Sequence, residues 1–94
     1  MDRAVRISEI VWDDYRIDHI AEHGVVPEEV WEVCEDPRHL ARHQGRDRYR
    51  LYGQTEEGRY VFVVLQYMSG TVFKTITARD MTAGEKRNFR RLRR

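Results

Sequence analysis

Apolar positions in the first third of the chain predict one strand followed by two short helices. Apolar residues recur along positions 5–12, which favours a strand, and two aspartates follow it as good helix N-cap residues. Apolar residues then recur at helical spacing over 14–22, and Gly24 supplies the stop. Pro27 and the glutamates after it predict the first turn of a second helix, which closes near residue 36.

The rest of the chain is typical of consecutive strands followed by one helix. Alternation over 48–52, a polar turn and the apolar run 60–66 predict a hairpin, and a further strand is expected over 71–79. On that last strand we expect one face to carry Phe73, Thr75, Thr77 and Arg79. A capping box predicts a helix from Thr82 onward. The expected fold is therefore α+β, an antiparallel sheet with two N-terminal helices and a C-terminal helix packed on it.

Charge is divided unevenly between the two parts of the chain. The formal net charge is only +1, but the charged residues of positions 1–36 are mostly acidic and those of positions 37–94 are mostly basic. A basic half concentrates phosphates, whereas an acidic half can pair with it or face another protein. A length of 94 residues suits one domain, 1–94. No signal-peptide core or membrane span is apparent, so we expect a cytoplasmic protein, and we interpret the lone Cys34 as a buried structural thiol.

Short motifs spread from residue 10 to about residue 91 resemble those of the BrnT family of type II toxins. Each motif is weak alone, and their order and spacing carry the resemblance. In chain order the motifs are Val11-Trp12-Asp13, His23-Gly24-Val25, Asp36-Pro37, Asp47-Arg48-Tyr49 with Gly53, Gly58-Arg59, and Ile76-Thr77-Ala78-Arg79 with Glu85. The chain departs from the family at Gln66-Tyr67, where relatives often have Tyr-Thr, so a tyrosine-based role there is not expected.

The resemblance implies a RelE-like fold and a ribonuclease that inhibits translation and growth. It also implies a cognate antitoxin that neutralises the toxin and binds DNA, for example as a ribbon-helix-helix protein. The toxin would then contact operator DNA only through the antitoxin. A homodimer and a heterotetramer with the antitoxin both stay open, as does a role for the ribosome. The resemblance places the functional arginines at Arg48 and Arg79, and no metal or other cofactor is expected.

RNA cleavage without a metal needs activation of the ribose 2′-hydroxyl, stabilisation of the charged phosphorane and protonation of the leaving oxygen. Arg48 and Arg79 suit the second task because a guanidinium stays charged and offers several fixed donors. For proton transfer the candidates are His43, Asp47 and Tyr52, and the sequence singles out none of them. The alternative for both arginines is a salt bridge to the acidic first helices.

Further side chains are candidates for RNA contact. Trp12 can stack on a base or belong to the core, and Arg50 shares a strand face with Arg48. The predicted C-terminal helix carries Lys86, Arg87 and Arg90, which can bind the RNA backbone or form a solvated helix face.

Two other functional interpretations follow from the same residues. The segment from His19 to His23 matches the H-x-x-E-H pattern of inverted zincins, but Gly24 ends the helix at once and a third zinc ligand is not evident. The second interpretation is a catalytically inactive toxin-fold module that acts only as a partner of the antitoxin or operator. An exposed strand edge at 38–43 would be one place for such a partner to dock.

Overall fold

The computed structural model describes residues 6–93, which form five strands and three helices. In chain order these are β1 (Glu9–Val11), α1 (Asp14–Ala21), α2 (Pro27–Glu35), β2 (Leu40–His43), β3 (Arg48–Gln54), β4 (Tyr60–Ser69), β5 (Val72–Asp80) and α3 (Ala83–Leu92). The α+β class is confirmed. The first strand is shorter than the predicted strand 5–12, and residue 5 of that prediction lies outside the described residues. Residues 1–4 and 94 of the predicted domain 1–94 also lie outside them.

The five strands form one mixed sheet in the order β1-β5-β4-β3-β2. Strands β2 to β5 are antiparallel neighbours, but β1 pairs with β5 in the parallel direction. The prediction of a purely antiparallel sheet is therefore wrong at this edge. Short turns force consecutive strands to run antiparallel, whereas β1 reaches β5 only after two helices and three strands, so no turn constrains its direction.

The sheet has a helix layer on each side. Ile20 of α1 and Val30 of α2 belong to one buried cluster with the odd-numbered residues Val61, Val63 and Leu65 of β4. We call this side of the sheet the two-helix face. A second cluster on the opposite side is made of Phe62, Val64, Met81 and Phe89 of α3. We call that side the helix-3 face. Alternation of side chains along β4 thus divides the core between the two faces.

A bulge in β5 changes which side chains share a face. Leu65 pairs with Thr75 but the adjacent Val64 pairs with Thr77, so one extra residue is inserted in β5. Phe73 packs in the cluster of the two-helix face, whereas Arg79 lies over the Phe62 ring on the helix-3 face. The expectation that Phe73, Thr75, Thr77 and Arg79 share one face is therefore wrong, because alternation alone does not anticipate a bulge.

Local capping explains where the helices begin. The Asp13 side chain accepts a hydrogen bond from the Arg16 amide at 2.8 Å at the start of α1. The Thr82 and Glu85 side chains form the predicted capping box of α3, with N···O distances of 3.1 and 2.9 Å. Cys34 is buried in the core, and burial raises the pKa of its thiol to about 12. Within residues 6–93, no helix is long and apolar enough to cross a membrane.

Candidate functional site

The helix-3 face carries a field of basic side chains beside α3. Arg42 of β2 pairs directly with Arg50 of β3, and one row further along the strands Arg48 pairs with Gln66, which pairs with Lys74 of β5. These five side chains are exposed or half-buried. Like charges placed opposite each other destabilise a sheet. A face with this arrangement is suited to a polyanion, which neutralises the repulsion.

A cleft of about 270 Å³ lies between this field and α3. Its walls combine three apolar residues with five polar or charged ones. The lining consists of Leu40, Arg42, Arg50, Tyr52, Glu85, Asn88, Phe89 and Leu92. The Nε atom of Arg50 is buried and has no hydrogen-bond partner within residues 6–93. A buried N–H without an acceptor carries a desolvation cost, and an anion in the cleft would remove that cost.

Arg79 borders the cleft and is held in one orientation. Its Nη1 and Nη2 atoms donate to the two carboxylate oxygens of Glu85 at 2.8 and 3.1 Å, and Nη1 also donates to the Asp80 carbonyl oxygen at 2.9 Å. The guanidinium carbon lies 4.3 Å from the centroid of the Phe62 ring. A guanidinium has five N–H groups. Within residues 6–93 the N–H of Nε and one N–H of Nη2 have no acceptor, and they lie side by side on one edge as donors for a bidentate oxyanion.

The ion pair fixes the charges of both partners. The hydrogen bond from Arg79 to Glu85 raises the pKa of the guanidinium and lowers the pKa of the carboxyl group. Glu85 is therefore ionised at neutral pH and acts as an acceptor that orients the guanidinium. The alternative pairing of Arg79 with the acidic first helices does not occur within residues 6–93, because its carboxylate partner is on α3.

Tyr52 is the candidate for proton transfer that the fold brings to the arginines. Its ring lies 5.2 Å from that of Phe62, centroid to centroid, and it lines the cleft together with Arg50. It also lies close enough to Arg79 to act on that guanidinium electrostatically. One cleft thus combines a phenol, which can give or take a proton, with two guanidinium groups.

The other two candidates for proton transfer lie elsewhere. His43 pairs with Tyr49 in the sheet, and the Tyr49 ring contacts Phe73 at 5.7 Å on the two-helix face. His43 is therefore separated from Arg79 by the sheet itself. Asp47 occupies the turn between β2 and β3 with a φ of 61°, and its carbonyl oxygen accepts a hydrogen bond from the Tyr67 amide. It lies next to Arg48, at the end of β3 away from Tyr52.

The structure separates the residues predicted to contact RNA. Arg48 and Arg50 share the helix-3 face, as the alternation predicted. Trp12 is half-buried against the core cluster of the two-helix face, which leaves it away from the basic field. On α3, Lys86 and Arg90 surround the ring of Tyr60, whereas Arg87 is exposed on the outer side of the helix.

Other cavities and histidines offer less for RNA chemistry. A groove of about 790 Å³ lies beside α2 and the turn after β3. Its lining residues are mainly acidic or neutral, and the acidic side chains repel RNA. His39 is buried, and burial lowers its pKa. His19 bonds to the Thr77 hydroxyl at 3.1 Å, and α1 ends before His23. Among the described side chains, no three His, Cys, Asp or Glu residues are grouped to hold a metal ion.

Sequence reasoning missed several lining residues. Glu85 was recognised as a helix cap and as part of the family motif but not as a site residue, although the same carboxylate also binds Arg79. Arg42 and Lys74 join the basic field through the strand register, which no local pattern reveals. Asn88 lines the cleft because it lies one turn beyond Glu85 on α3, so helical spacing from Glu85 would have identified it.

Comparison with known families identifies one family that covers most of the chain. The model for the ribonuclease toxin BrnT of type II toxin–antitoxin systems matches residues 12–85. The matched span includes Arg48, Arg50, Tyr52, Arg79 and Glu85, and it ends within the first turn of α3. No curated protein sequence matches the chain. Because the match covers most of the 94 residues, the chain belongs to the BrnT family of ribonuclease toxins of type II toxin–antitoxin systems.

Proposed function

We propose that this chain cleaves RNA in the cleft beside α3 and that it does so without a metal ion. The observation that carries the proposal is that Arg50 and Tyr52 line one cleft of the basic helix-3 face, while Arg79 is held at the border of that cleft by Glu85. Family membership supplies the reaction class, and the side chains of the cleft supply the means. Fixed guanidinium charges take over the electrostatic task that a metal performs in other nucleases.

In the proposed reaction the ribose 2′-hydroxyl gives its proton to solvent water and attacks the neighbouring phosphorus atom, the bond from phosphorus to the 5′-oxygen breaks, and water restores the proton that Tyr52 gives to that oxygen. The open edge of Arg79, formed by Nε and Nη2, donates to the phosphoryl oxygens as their charge grows. Arg50 adds the N–H of its buried Nε atom. Glu85 positions Arg79 without touching the substrate. Preorganised donors of this kind each lower the barrier by about 3 kcal/mol.

Tyr52 is the proton donor to the leaving 5′-oxygen in this proposal. A phenol carries an O–H group, which can donate its proton to a developing oxyanion. Glu85 is a poor candidate for the acid because its lowered pKa keeps it ionised. His43 has no place in this reaction since it lies on the two-helix face, and Asp47 is left with Arg48 at the far end of the basic field. Arg48, one row along the same strand face from Arg50, then binds the next phosphate of the RNA backbone.

The partners form part of the same proposal. A toxin of a type II system is paired with an antitoxin. We propose that the antitoxin binds DNA, for example through a ribbon-helix-helix fold, and that the toxin reaches operator DNA only through it. The proposal also includes RelE-like packing, either a heterotetramer with the antitoxin or a toxin homodimer, and inhibition of translation in the cytoplasm through cleavage of RNA that is free or bound to the ribosome.

The test compares a single-stranded RNA with the same strand lacking every 2′-hydroxyl, each incubated with purified protein with and without EDTA, and ribosomes are added only in a separate arm that contains Mg²⁺ and no EDTA. We expect cleavage of the RNA strand and no cleavage of the deoxy strand, with 2′,3′-cyclic phosphate ends on the products. Cleavage of the deoxy strand would contradict the proposed attack by the 2′-hydroxyl. Loss of RNA cleavage on adding EDTA would contradict metal independence. If the purified protein cleaved no RNA and its expression in cells caused no growth arrest, a binding-only module would be favoured instead.

A further inference from the structure

A second cluster of cations lies on the side of α3 that faces away from the cleft. Glu85, Asn88 and Leu92 line the cleft, whereas Lys86, Arg90 and Arg93 recur at i, i+4 and i+7 along another side of the helix. Their charged groups surround the ring of Tyr60, in the first position of β4. The distances to the ring centroid are 5.3 Å from Lys86 Nζ and 5.1 and 6.0 Å from the guanidinium carbons of Arg90 and Arg93.

The Tyr60 hydroxyl is oriented by this cluster. Arg90 Nε donates to the hydroxyl oxygen at 3.1 Å, so the phenolic proton points away from the arginine. That proton is then available to an acceptor outside the protein. The hydrogen bond from Arg90 and the nearby cations lower the pKa of Tyr60, which makes its O–H a stronger donor. Arg93 is held in the cluster by a hydrogen bond to the Gln54 side chain.

The positive charge of the cluster is not balanced within the described chain. In residues 6–93, none of the three cations forms an ion pair. Lys86 acts electrostatically on Asp80, but that carboxylate is already bound by Arg59 at 2.7 Å, and Arg93 lines the acidic groove beside α2 without an ion pair to it within residues 6–93. Like charges one helical turn apart repel each other. An anion placed at Tyr60 would relieve this repulsion and accept the phenolic proton in a hydrogen bond.

We propose that Tyr60, Lys86, Arg90 and Arg93 form a second phosphate-binding site for the RNA backbone, on the side of α3 opposite the cleft. A backbone phosphate accepts from the Tyr60 hydroxyl and from the cations around its ring. The inference rests on the proposed function in taking RNA as the ligand. The three cations follow residue 85, so they lie outside the span that the BrnT family model matches. The site therefore adds RNA affinity that the matched part of the chain does not supply.

The test uses two double variants of α3 that each remove two positive charges. Lys86→Gln with Arg90→Gln changes the Tyr60 cluster, whereas Arg87→Gln with Arg91→Gln changes the exposed outer side of the same helix. The ligand is a single-stranded RNA with 2′-O-methyl riboses, which binds without being cleaved. For single strands the salt slope falls by about 0.7 for each phosphate that the protein no longer neutralises. Because the site holds one backbone phosphate, we expect the first pair to lower the slope by about 0.7 and to weaken binding about tenfold.

The matched pair, Arg87→Gln with Arg91→Gln, is expected to weaken binding by about twofold, through general charge alone. Equal weakening by both pairs would overturn the proposal, because it would show a diffuse basic helix and no site. Tyr60→Phe gives an independent check since it keeps the ring and removes only the hydroxyl. We expect about fivefold weaker binding from that change, and unchanged affinity would overturn the role of the hydroxyl.

Cleavage of ordinary RNA, measured beside binding, separates this proposal from the proposed function. Variants that bind as tightly as the wild type, with cleavage intact, would overturn only the second site. A wild-type protein that neither binds nor cleaves RNA would overturn both. Thermal unfolding of each variant checks that weaker binding does not reflect an unfolded chain.

Discussion

Replacement of Arg79 by lysine keeps the positive charge and removes the planar fork. In the wild type, two guanidinium nitrogens are committed to Glu85, and the Nε and Nη2 edge is directed to substrate in the proposed reaction. An ammonium group cannot bind a carboxylate and a phosphate in this fixed geometry at the same time. Arg79→Lys should therefore reduce catalysis far more than it reduces stability.

The structure gives the magnitude of the effect on stability and of the effect on catalysis. The stacking of Arg79 on Phe62 is worth about 0.5–1 kcal/mol, and the ion pair adds about as much at most, because 36% of the Arg79 side chain and 23% of the Glu85 side chain are exposed. A lysine keeps part of both interactions, so we expect a loss of about 1 kcal/mol and a fall in Tm of about 4–8 °C. Loss of one preorganised donor lowers kcat by about 100-fold to 1,000-fold.

Arg59→Lys provides the matched control. The guanidinium of Arg59 also binds two carboxylates, Glu29 at 3.0 Å and Asp80 at 2.7 Å, and the Gly24 carbonyl oxygen at 2.7 Å, but it lies outside the cleft. We expect this variant to lose at least as much stability as Arg79→Lys and to cleave RNA at a rate within about threefold of the wild type. Both variants are assayed for RNA cleavage at 25 °C and for thermal unfolding by circular dichroism. If Arg79→Lys cleaved RNA as fast as Arg59→Lys, Arg79 would be only a structural partner of Glu85.

Three further predictions concern proton transfer, pH and packing. Tyr52→Phe should lower kcat about 100-fold with KM nearly unchanged, because Tyr52 lines the cleft. His43→Asn, on the opposite face of the sheet, should leave kcat and KM as they are. Loss of activity in the histidine variant would refute the assignment of faces. The carboxylate of Glu85 has a pKa lowered from its ordinary 4.5, so the stability it contributes is present above that value and lost as the pH falls through the lowered pKa. Urea unfolding should accordingly show Glu85→Gln as less stable than the wild type at pH 7, with the difference shrinking below about pH 4.5; a difference that does not depend on pH would contradict the ion pair. A Cβ atom at Gly53 would lie 3.0 Å from a Val33 methyl carbon and 3.3 Å from an Asp36 carboxylate oxygen, so Gly53→Ala should cost about 1–3 kcal/mol in the same assay, and unchanged stability would show that α2 can shift away from β3.

The elements of this fold were predictable because their signals are local. The Asp13 cap, Pro27 at the start of α2 and the Thr82 capping box each act within one turn of a helix. The sequence therefore located the helices to within about a residue or two. It also identified Arg50 as a neighbour of Arg48 on one strand face, since alternation within a strand needs no partner.

The arrangement of the site was less predictable because it depends on pairing between distant segments. The bulge in β5 turns Arg79 to the helix-3 face, and only the register with β4 reveals it. His43 precedes Arg48 by five residues, yet the register of β2 against β3 places it beside Tyr49 on the two-helix face. The partnership of Arg79 with Glu85 likewise appears only when α3 folds back over the sheet.

The most direct test of a catalytic site on the helix-3 face is to incubate a mixed RNA in EDTA with the wild-type protein and with three variants, Arg79→Ala, Arg48→Ala and His43→Ala. The products are compared on a denaturing gel. The two arginines lie on the helix-3 face or border its cleft, and the histidine lies on the other side of the sheet. We predict cleavage by the wild type and by His43→Ala, and its loss in both arginine variants. Cleavage that survives in Arg79→Ala, or that disappears in His43→Ala, would contradict a catalytic site on the helix-3 face.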